Sequence, residues 1–536
     1  MSLFFNRRPH HTVTWVIFIA ILIFAFAVRI YHIDTLPLGI YPDESANGVD
    51  ALQALETHDF KLFYPANYGR EGLFINLQAI TIHLLGNTIL GLKLWSILFG
   101  TLSVLGMYLL SVELFRRRIS GLISAFMLAT SYWAINFSRI GFRAIMMTFI
   151  LTFSFYFFFR GLRTRRFRYF LFSGLIFGLG LHTYIAFRVA PFILILLLPA
   201  LILSYENFFK RYYKHALLFI LGAFISALPM LYDFFVAHPE DFGSRSEAVS
   251  IFSPSINHGN LLGTFTRAFS LSLIKYNFFG DQNWRHNYAP YPILDPFVGT
   301  FFLAGFLFVF FQTLHLISLR IRYQDRDLRL VVNIFLLGSF FIMLIPEFLS
   351  GEGLPHALRS IGTQMPVFLM ATLPVVWLYK KAKKSQRGLQ IALFSILLFA
   401  LGSSAVFNLT KYFVFFAHNT SASGSFNENY TNMARYLLSL PPETKKYVLF
   451  DEKGNEDLTK LPVYAHPVYY LTYHKVPNME IIKGDTVLQG PAIFLMVNYN
   501  NDIEARIRKI FPTLEVKRID INGPRTGGDF NIIVLP

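Results

Sequence analysis

The chain has 536 residues, 54% hydrophobic and 15% charged, with 60 Phe, 27 Tyr and no Cys, and a mean hydropathy of +0.46. This is far more apolar than an ordinary soluble enzyme and reads as a polytopic membrane protein; the lack of cysteine excludes disulfide frameworks, zinc-thiolate sites and cysteine nucleophiles. The formal charge of +16 lies in short basic runs between long apolar stretches, the distribution that the positive-inside rule produces, so no nucleic-acid partner is implied.

The N-terminus, a short basic segment before an apolar stretch without a small-residue cleavage site, reads as an uncleaved first span. Stretches long enough to cross a bilayer, roughly 17 to 25 residues, begin near Val13, Leu92, Ile119, Ala144, Tyr169, Phe187, Ala216, Phe297, Val331, Ile361 and Leu389. About eleven transmembrane helices are therefore expected. The runs FRRR (115–118), RTRRFR (163–168), KRYYK (210–214), RIRYQDRDLR (320–329) and KKAKKSQR (380–387) then share one side with Arg7 and Arg8, and that side is assigned to the cytoplasm. Counting LFINLQAITIHLLG (73–86) as a span would reverse every later loop. With its Asn76, Gln78 and His83 it reads instead as a helix lying on the outer membrane surface.

On this topology the outer side receives residues 30–90, a long loop over 236–296, a short loop over 347–360 and everything after about 410. Residues 1–410 form the membrane unit. Residues 411–536 change composition, with strand-like KKYVLF, AIFLMV and NIIVL and a helix-like NMARYLLSL, and read as a small α/β domain outside the cytoplasm.

The unusual polar residues collect on that outer side. The first loop holds Asp34, Asp43, Glu44, Asp50 and, in GREG, Arg70 and Glu71. SRIGFR supplies Arg139 and Arg143, GLHTYIAFRVAP supplies His182, Tyr184 and Arg188, and GDQNWRHNYAPYP supplies Trp284, Arg285, His286 and Asn287. EFLSGEGLPHALRSIG supplies Glu347, Glu352, His356 and Arg359. Acids and bases gathered at one membrane face point to acid/base chemistry on an anionic, lipid-borne substrate. A carboxylate there can take a proton from an attacking hydroxyl or amine while Arg and His stabilise a phosphate leaving group. Asp43 and Glu44 also suit a helix N-terminus. Arg359, Arg139 and Arg143 also suit interfacial anchoring, and Asp34 and Asp50 suit solvated or capping positions.

An acidic PDE in the first outer loop, a surface helix after it, FSRIGFRA, LHTYIAFRVAP and LPHALRSIG together resemble the GT-C glycosyltransferases over roughly residues 10–410. The nearest members are bacterial proteins similar to protein O-mannosyltransferases and aminoarabinose transferases. The resemblance implies a GT-C membrane fold, a polyprenyl-phosphate sugar as donor, an extracytoplasmic glycan, lipid or protein as acceptor, and inversion at the anomeric carbon. It implies Asp43 as general base assisted by Glu44, lipid-phosphate binding at His356 and Arg359, and donor or sugar contacts at Arg188, Trp284, Arg285, His286 and Asn287; beside it, His182 is a candidate for binding the lipid phosphate and Tyr184 for contacting the sugar. FSRIGFRA lacks the second acid found in many relatives, so neither metal nor other cofactor is expected. A multi-pass protein of the plasma or inner membrane follows, with a cytoplasmic N-terminus and membrane lipids as neighbours.

Two other readings use the same spans. A lipid or polysaccharide transporter would place its critical charges near the midplane and often show repeated halves; here the charges lie at one face and no repeat is visible. A membrane scaffold would explain the C-terminal part and leave the loop pattern without a role.

Overall fold

The computed structural model describes residues 11–66, 69–240, 242, 250–450, 463–482, 488–520 and 527–536; the expected cytoplasmic pair Arg7 and Arg8 lies outside them. Among the described residues nine helices are long and apolar enough to cross a membrane. The helices Arg118–Thr130 and Tyr132–Arg139, bent by 58° at Ser131, make a tenth if taken as one span. The eleventh expected position, near Tyr169, is the shorter apolar helix Phe167–His182. All eleven expected stretches are thus helical, and the count of full-length spans among the described residues is corrected to nine or ten.

The short member packs closely against its neighbour. Gly174, Gly178 and Gly222 have no side chain where Phe167–Leu179 meets Phe208–Tyr232, and a Cβ on Gly222 would stand 2.7 Å from the carbonyl oxygen of Leu171. Small residues at such spacing let membrane helices approach backbone to backbone. The helix Ile361–Lys384 is central, with 78% of its apolar window buried, whereas Thr12–Ile30 and Arg387–His418 show 22% and 17% and leave their apolar sides to lipid.

Two buried arginines fix the first span against the bent pair. Arg29 donates to Ser138 Oγ at 3.0 Å and to the carbonyl oxygen of Ala129 at 3.3 Å, at the break between the paired helices. In return Arg139 donates to the carbonyls of Val28, Arg29, Tyr31 and Leu36 at 2.6–3.0 Å. Each guanidinium satisfies carbonyls that a helix end leaves without partners. Arg139 is therefore a buried helix-end clamp, which corrects its reading as an interfacial anchor.

The 73–86 stretch is the helix Gly72–Leu85, 14 residues long and too short for the ~20 that a span needs. Ile80 and Leu84 are exposed, while Gln78 is buried and donates to the carbonyl of Leu92 at 2.7 Å. Gln78 thus ties this helix to the following span instead of facing water as a surface helix would have it.

The C-terminal part contains a five-stranded sheet. The first-loop strands are β1 (Phe63–Tyr64) and β2 (Arg70–Glu71), and the sheet is built from β3 (Lys445–Leu449), β4 (Met479–Ile481), β5 (Ala492–Met496), β6 (Glu515–Ile519) and β7 (Phe530–Leu535). Its order is β4-β3-β5-β7-β6, with β3 parallel to β4 and β5 and β7 antiparallel to β5 and β6. Alternation along the strands fills two cores. Tyr447, Phe494, Met496 and Ile533 pack toward the helix Asn501–Ile510. Val448, Leu495, Phe530 and Ile532 share a core with Ile40 and Ala51 of the first loop and Ile75, Ile82 and Leu92 of the membrane unit. The sheet is covered on both faces, and one of those faces is continuous with the first loop. Asn87 Nδ2 donates to the carbonyl of Tyr470 at 2.8 Å, and Tyr470 Oη donates to that of Thr88 at 2.9 Å.

Candidate active site

The helix Pro42–Thr57 begins with Pro42, whose fixed φ suits a first helical position, followed by Asp43 and Glu44, which complement the N-terminal dipole. Successive helical residues diverge by about 100°, and the two acids meet opposite fates. Asp43 is half-buried and accepts from Tyr41 Oη at 2.6 Å. Glu44 is wholly buried and stands 3.4 Å from the equally buried Lys93 Nζ. Burial raises the Glu44 carboxyl above its ordinary value, and Lys93 opposes the rise.

Arg70, in β2 just before the helix Gly72–Leu85, is 2% exposed; it donates to Asn47 Oδ1 at 2.7 Å and pairs with Asp50. Its charge and that of Asp43 both act on His466, which opens the helix His466–Thr472 of the C-terminal part. Burial and then Arg70 lower His466 to about 4, so it is uncharged at neutral pH. Its Nδ1 is buried without a hydrogen-bond partner among the described residues.

A second group gathers around Glu71. Arg143 Nε donates to Glu71 Oε2 at 2.7 Å, and its guanidinium lies 5.5 Å from the Tyr184 ring. The Glu71 charge also acts on His182 and Arg188. His182 Nε2 donates to the Ser226 carbonyl at 2.9 Å. Arg188 lies over the rings of Phe234 and Phe242 and donates to the Phe242 carbonyl at 2.5 Å.

The third group joins the 281–291 turn to the 350–361 loop. Asp281 is 1% exposed. Its Oδ1 accepts from Asn283 N at 2.8 Å; its Oδ2 accepts from Ala357 N at 2.7 Å and lies 3.3 Å from His286 Nδ1 and 3.9 Å from His356 Nδ1. Asp281, His286 and His356 each offer one ligand atom, all within 4.8 Å of one another, an arrangement that could hold a metal ion and that the sequence reading did not expect. Glu347, paired with Lys275 in full burial, accepts from His356 N at 2.8 Å. Arg285 closes the circuit to the first loop: its carbonyl accepts from Asn136 Nδ2 at 2.9 Å, and its guanidinium lies 4.5 Å from the ring centroid of Tyr41, the residue bound to Asp43.

The structure therefore joins Asp43, through Tyr41, to Arg285 and the turn carrying His286, and joins His286 to His356 through Asp281. Tyr184, His182 and Arg188 gather around Glu71. Asn287 anchors its own turn, donating to the Tyr291 carbonyl at 2.6 Å, and the Trp284 ring packs on Tyr288. Arg359 is engaged inside its loop by Ser350 Oγ and by the carbonyl and carboxylate of Glu352, at 2.7 and 3.0 Å for the last two. Sequence reasoning did not single out Asp281, Lys93, Tyr41 or His466. Lys93, a lone cation inside an apolar span, carried a signal, as did Asp281, five residues before His286.

Residues 73–232 match the family model described as dolichyl-phosphate-mannose-protein mannosyltransferase. No curated protein matches the chain. Among solved structures, ArnT from Cupriavidus metallidurans bound to undecaprenyl phosphate is 13% identical over 98% of this chain and 98% of its own, with a TM-score of 0.54. Its apo state gives 0.52 at 11% identity over the same shares. The archaeal oligosaccharyltransferase AglB from Archaeoglobus fulgidus, in complex with an inhibitory peptide and a dolichol-phosphate, is 14% identical over 87% of this chain and 64% of its own, with a TM-score of 0.50. With these likenesses and its apolar helices, the chain is a multi-pass membrane protein of the GT-C glycosyltransferase fold, and its residues 73–232 match the mannosyltransferase family.

Proposed function

We propose that the chain is a glycosyltransferase that moves a sugar from a polyprenyl-phosphate donor to an acceptor hydroxyl or amine outside the cytoplasm, with inversion. The observation that carries the reading is the contrast between the two neighbouring first-loop acids. Glu44 is shut away with Lys93, while Asp43 remains partly exposed beside Tyr41 and within the field of Arg70. Asp43 takes the proton of the acceptor as its oxygen or nitrogen attacks the anomeric carbon. The bond from that carbon to the lipid phosphate oxygen breaks, and the phosphate leaves with the electron pair.

His356, His286, Arg285 and the Glu71 group with Arg188 and His182 are the cationic or hydrogen-bonding side chains that meet the developing phosphate charge. Trp284, Tyr184 and Asn287 line the sugar side, and Arg359 acts by holding the 350–361 loop. If a metal is bound, Asp281, His286 and His356 would hold it and it would supply Lewis-acid stabilisation. The orientation belongs to the same proposal, with the N-terminus cytoplasmic and the sheet-bearing C-terminal part, residues 411–536, outside.

The test is transfer of labelled sugar from a panel of polyprenyl-phosphate donors by purified wild type and Asp43→Asn, each with and without chelator. Donor cleavage by wild type and its loss in a normally folded Asp43→Asn supports the reading. Full transfer by the variant removes Asp43 from the role of base.

A further inference from the structure

The end of the bundle opposite the candidate site contains a cavity of about 630 Å³ among the helices Ile89–Phe115, Pro296–Tyr323, Arg329–Phe348 and Ile361–Lys384. Its volume lies in the ~300–1,000 Å³ range of ordinary ligand pockets. The wall is mostly hydrocarbon, including Phe308, Val332 and Leu373; its amides Gln312 and Asn333 bond each other at 3.0 Å, and the cations Arg116, Arg117, Arg329 and Lys380 also line it.

The acids nearby are already engaged. Glu113 accepts from Arg116 at 2.8 Å and from Arg163 at 2.5 Å, and Asp327 pairs with Arg329 at 2.5 Å. Arg117 and Lys380 form no ion pair among the described residues, and the charges of Arg117 and Lys384 both act on Lys380. Two like charges held near one low-dielectric wall repel each other, and an anion between them removes that cost. Trp377, 58% exposed one helical turn before Lys380, suits the headgroup level of a membrane, where Trp is enriched.

We propose that this cavity binds an anionic phospholipid, its phosphate between Arg117 and Lys380 and one acyl chain along Phe308 and Leu373. Each part of the cavity selects for one part of that ligand. Free phosphate would leave the hydrocarbon wall uncovered, and a zwitterionic lipid would bring its own cation against Arg117 and Lys380. The proposal is independent of the chemistry at the opposite end of the bundle.

The test is native mass spectrometry of the full chain in detergent offered equimolar phosphatidylglycerol and phosphatidylcholine, with inorganic phosphate as competitor. Wild type should retain phosphatidylglycerol over phosphatidylcholine by on the order of tenfold, and phosphate should not displace it. Arg117→Gln/Lys380→Gln should lose the preference, while Arg166→Gln/Arg168→Gln, with cations that do not line the cavity, should keep it. Equal retention of both lipids by wild type overturns the proposal even if the double variant fails to fold. So does a preference that survives Arg117→Gln/Lys380→Gln, one lost equally in the control, or displacement by inorganic phosphate.

Discussion

Glu44 and Lys93 form an ion pair 3.4 Å apart, both wholly shielded from solvent, between the first-loop helix and the span that follows it. Removing one partner leaves the other charge buried and uncompensated, at a cost of about 3–5 kcal/mol. Glu44→Gln and Lys93→Met should each lower the thermal midpoint in detergent markedly. The double variant should lose less than the sum, because it removes the charge from both sides. Additive losses would show that the pair is not coupled.

The first loop and the C-terminal part meet without room for a side chain at Gly39. A Cβ there would strike the carbonyl oxygen of Phe426 and stand 2.9 Å from the backbone of Glu428, and backbone cannot rotate out of the way as a side chain can. Gly39→Ala should cost about 1–3 kcal/mol as overpacking and speed tryptic release of the C-terminal part. Gly424→Ala, with nothing within 4 Å of its added methyl, is the control and should behave as wild type. Equal digestion rates for the two variants would show that this contact does not hold the parts together.

His466 gives that junction a pH dependence. Its folded value of about 4 lies below the ordinary ~6.5. Above pH ~6.5 the residue is neutral whether the chain is folded or not. Between ~6.5 and 4 the unfolded chain binds a proton that the folded chain refuses, so stability falls with pH and then levels off. The drop in thermal midpoint from pH 7.5 to 5.0 should be smaller in His466→Gln than in wild type. Identical drops would place the titration elsewhere.

Much of this organisation was legible because it depends on composition within one segment. Every expected apolar stretch is a helix, and the strand-like runs near 447, 494 and 533 form the central strands of the sheet. What escaped depends on partners distant in sequence. Glu44 looks like Asp43 until Lys93, 49 residues on, is packed against it. Arg139 looks like an anchor at the water boundary until the carbonyl ends of the first span fold over it. Asp281 reads as one polar residue in a polar turn, and only the arrival of the 350–361 loop makes it the acceptor for Ala357 N and the neighbour of two histidines. His466 sits in a stretch with the composition of a soluble domain, where no local pattern shows that it docks beside Asp43.

That docking also sharpens what loss of the base should look like. If Asp43 takes the acceptor proton, Asp43→Asn keeps the shape and the bond from Tyr41 Oη, and removes only the charge and basicity. General-base catalysis contributes typically ~10²–10⁴-fold, so kcat for transfer should fall by about that factor with little change in donor KM and an unchanged thermal midpoint. Tyr41→Phe tests a different link. It removes the hydroxyl that donates to Asp43 at 2.6 Å while leaving the ring under Arg285. The carboxyl group itself remains when that hydroxyl is gone, so Tyr41→Phe should lower kcat by a smaller factor than Asp43→Asn does, with donor KM little changed. A loss in Tyr41→Phe as large as that in Asp43→Asn would mean that the hydroxyl itself, and not only the carboxylate it bonds, is needed for the proton transfer.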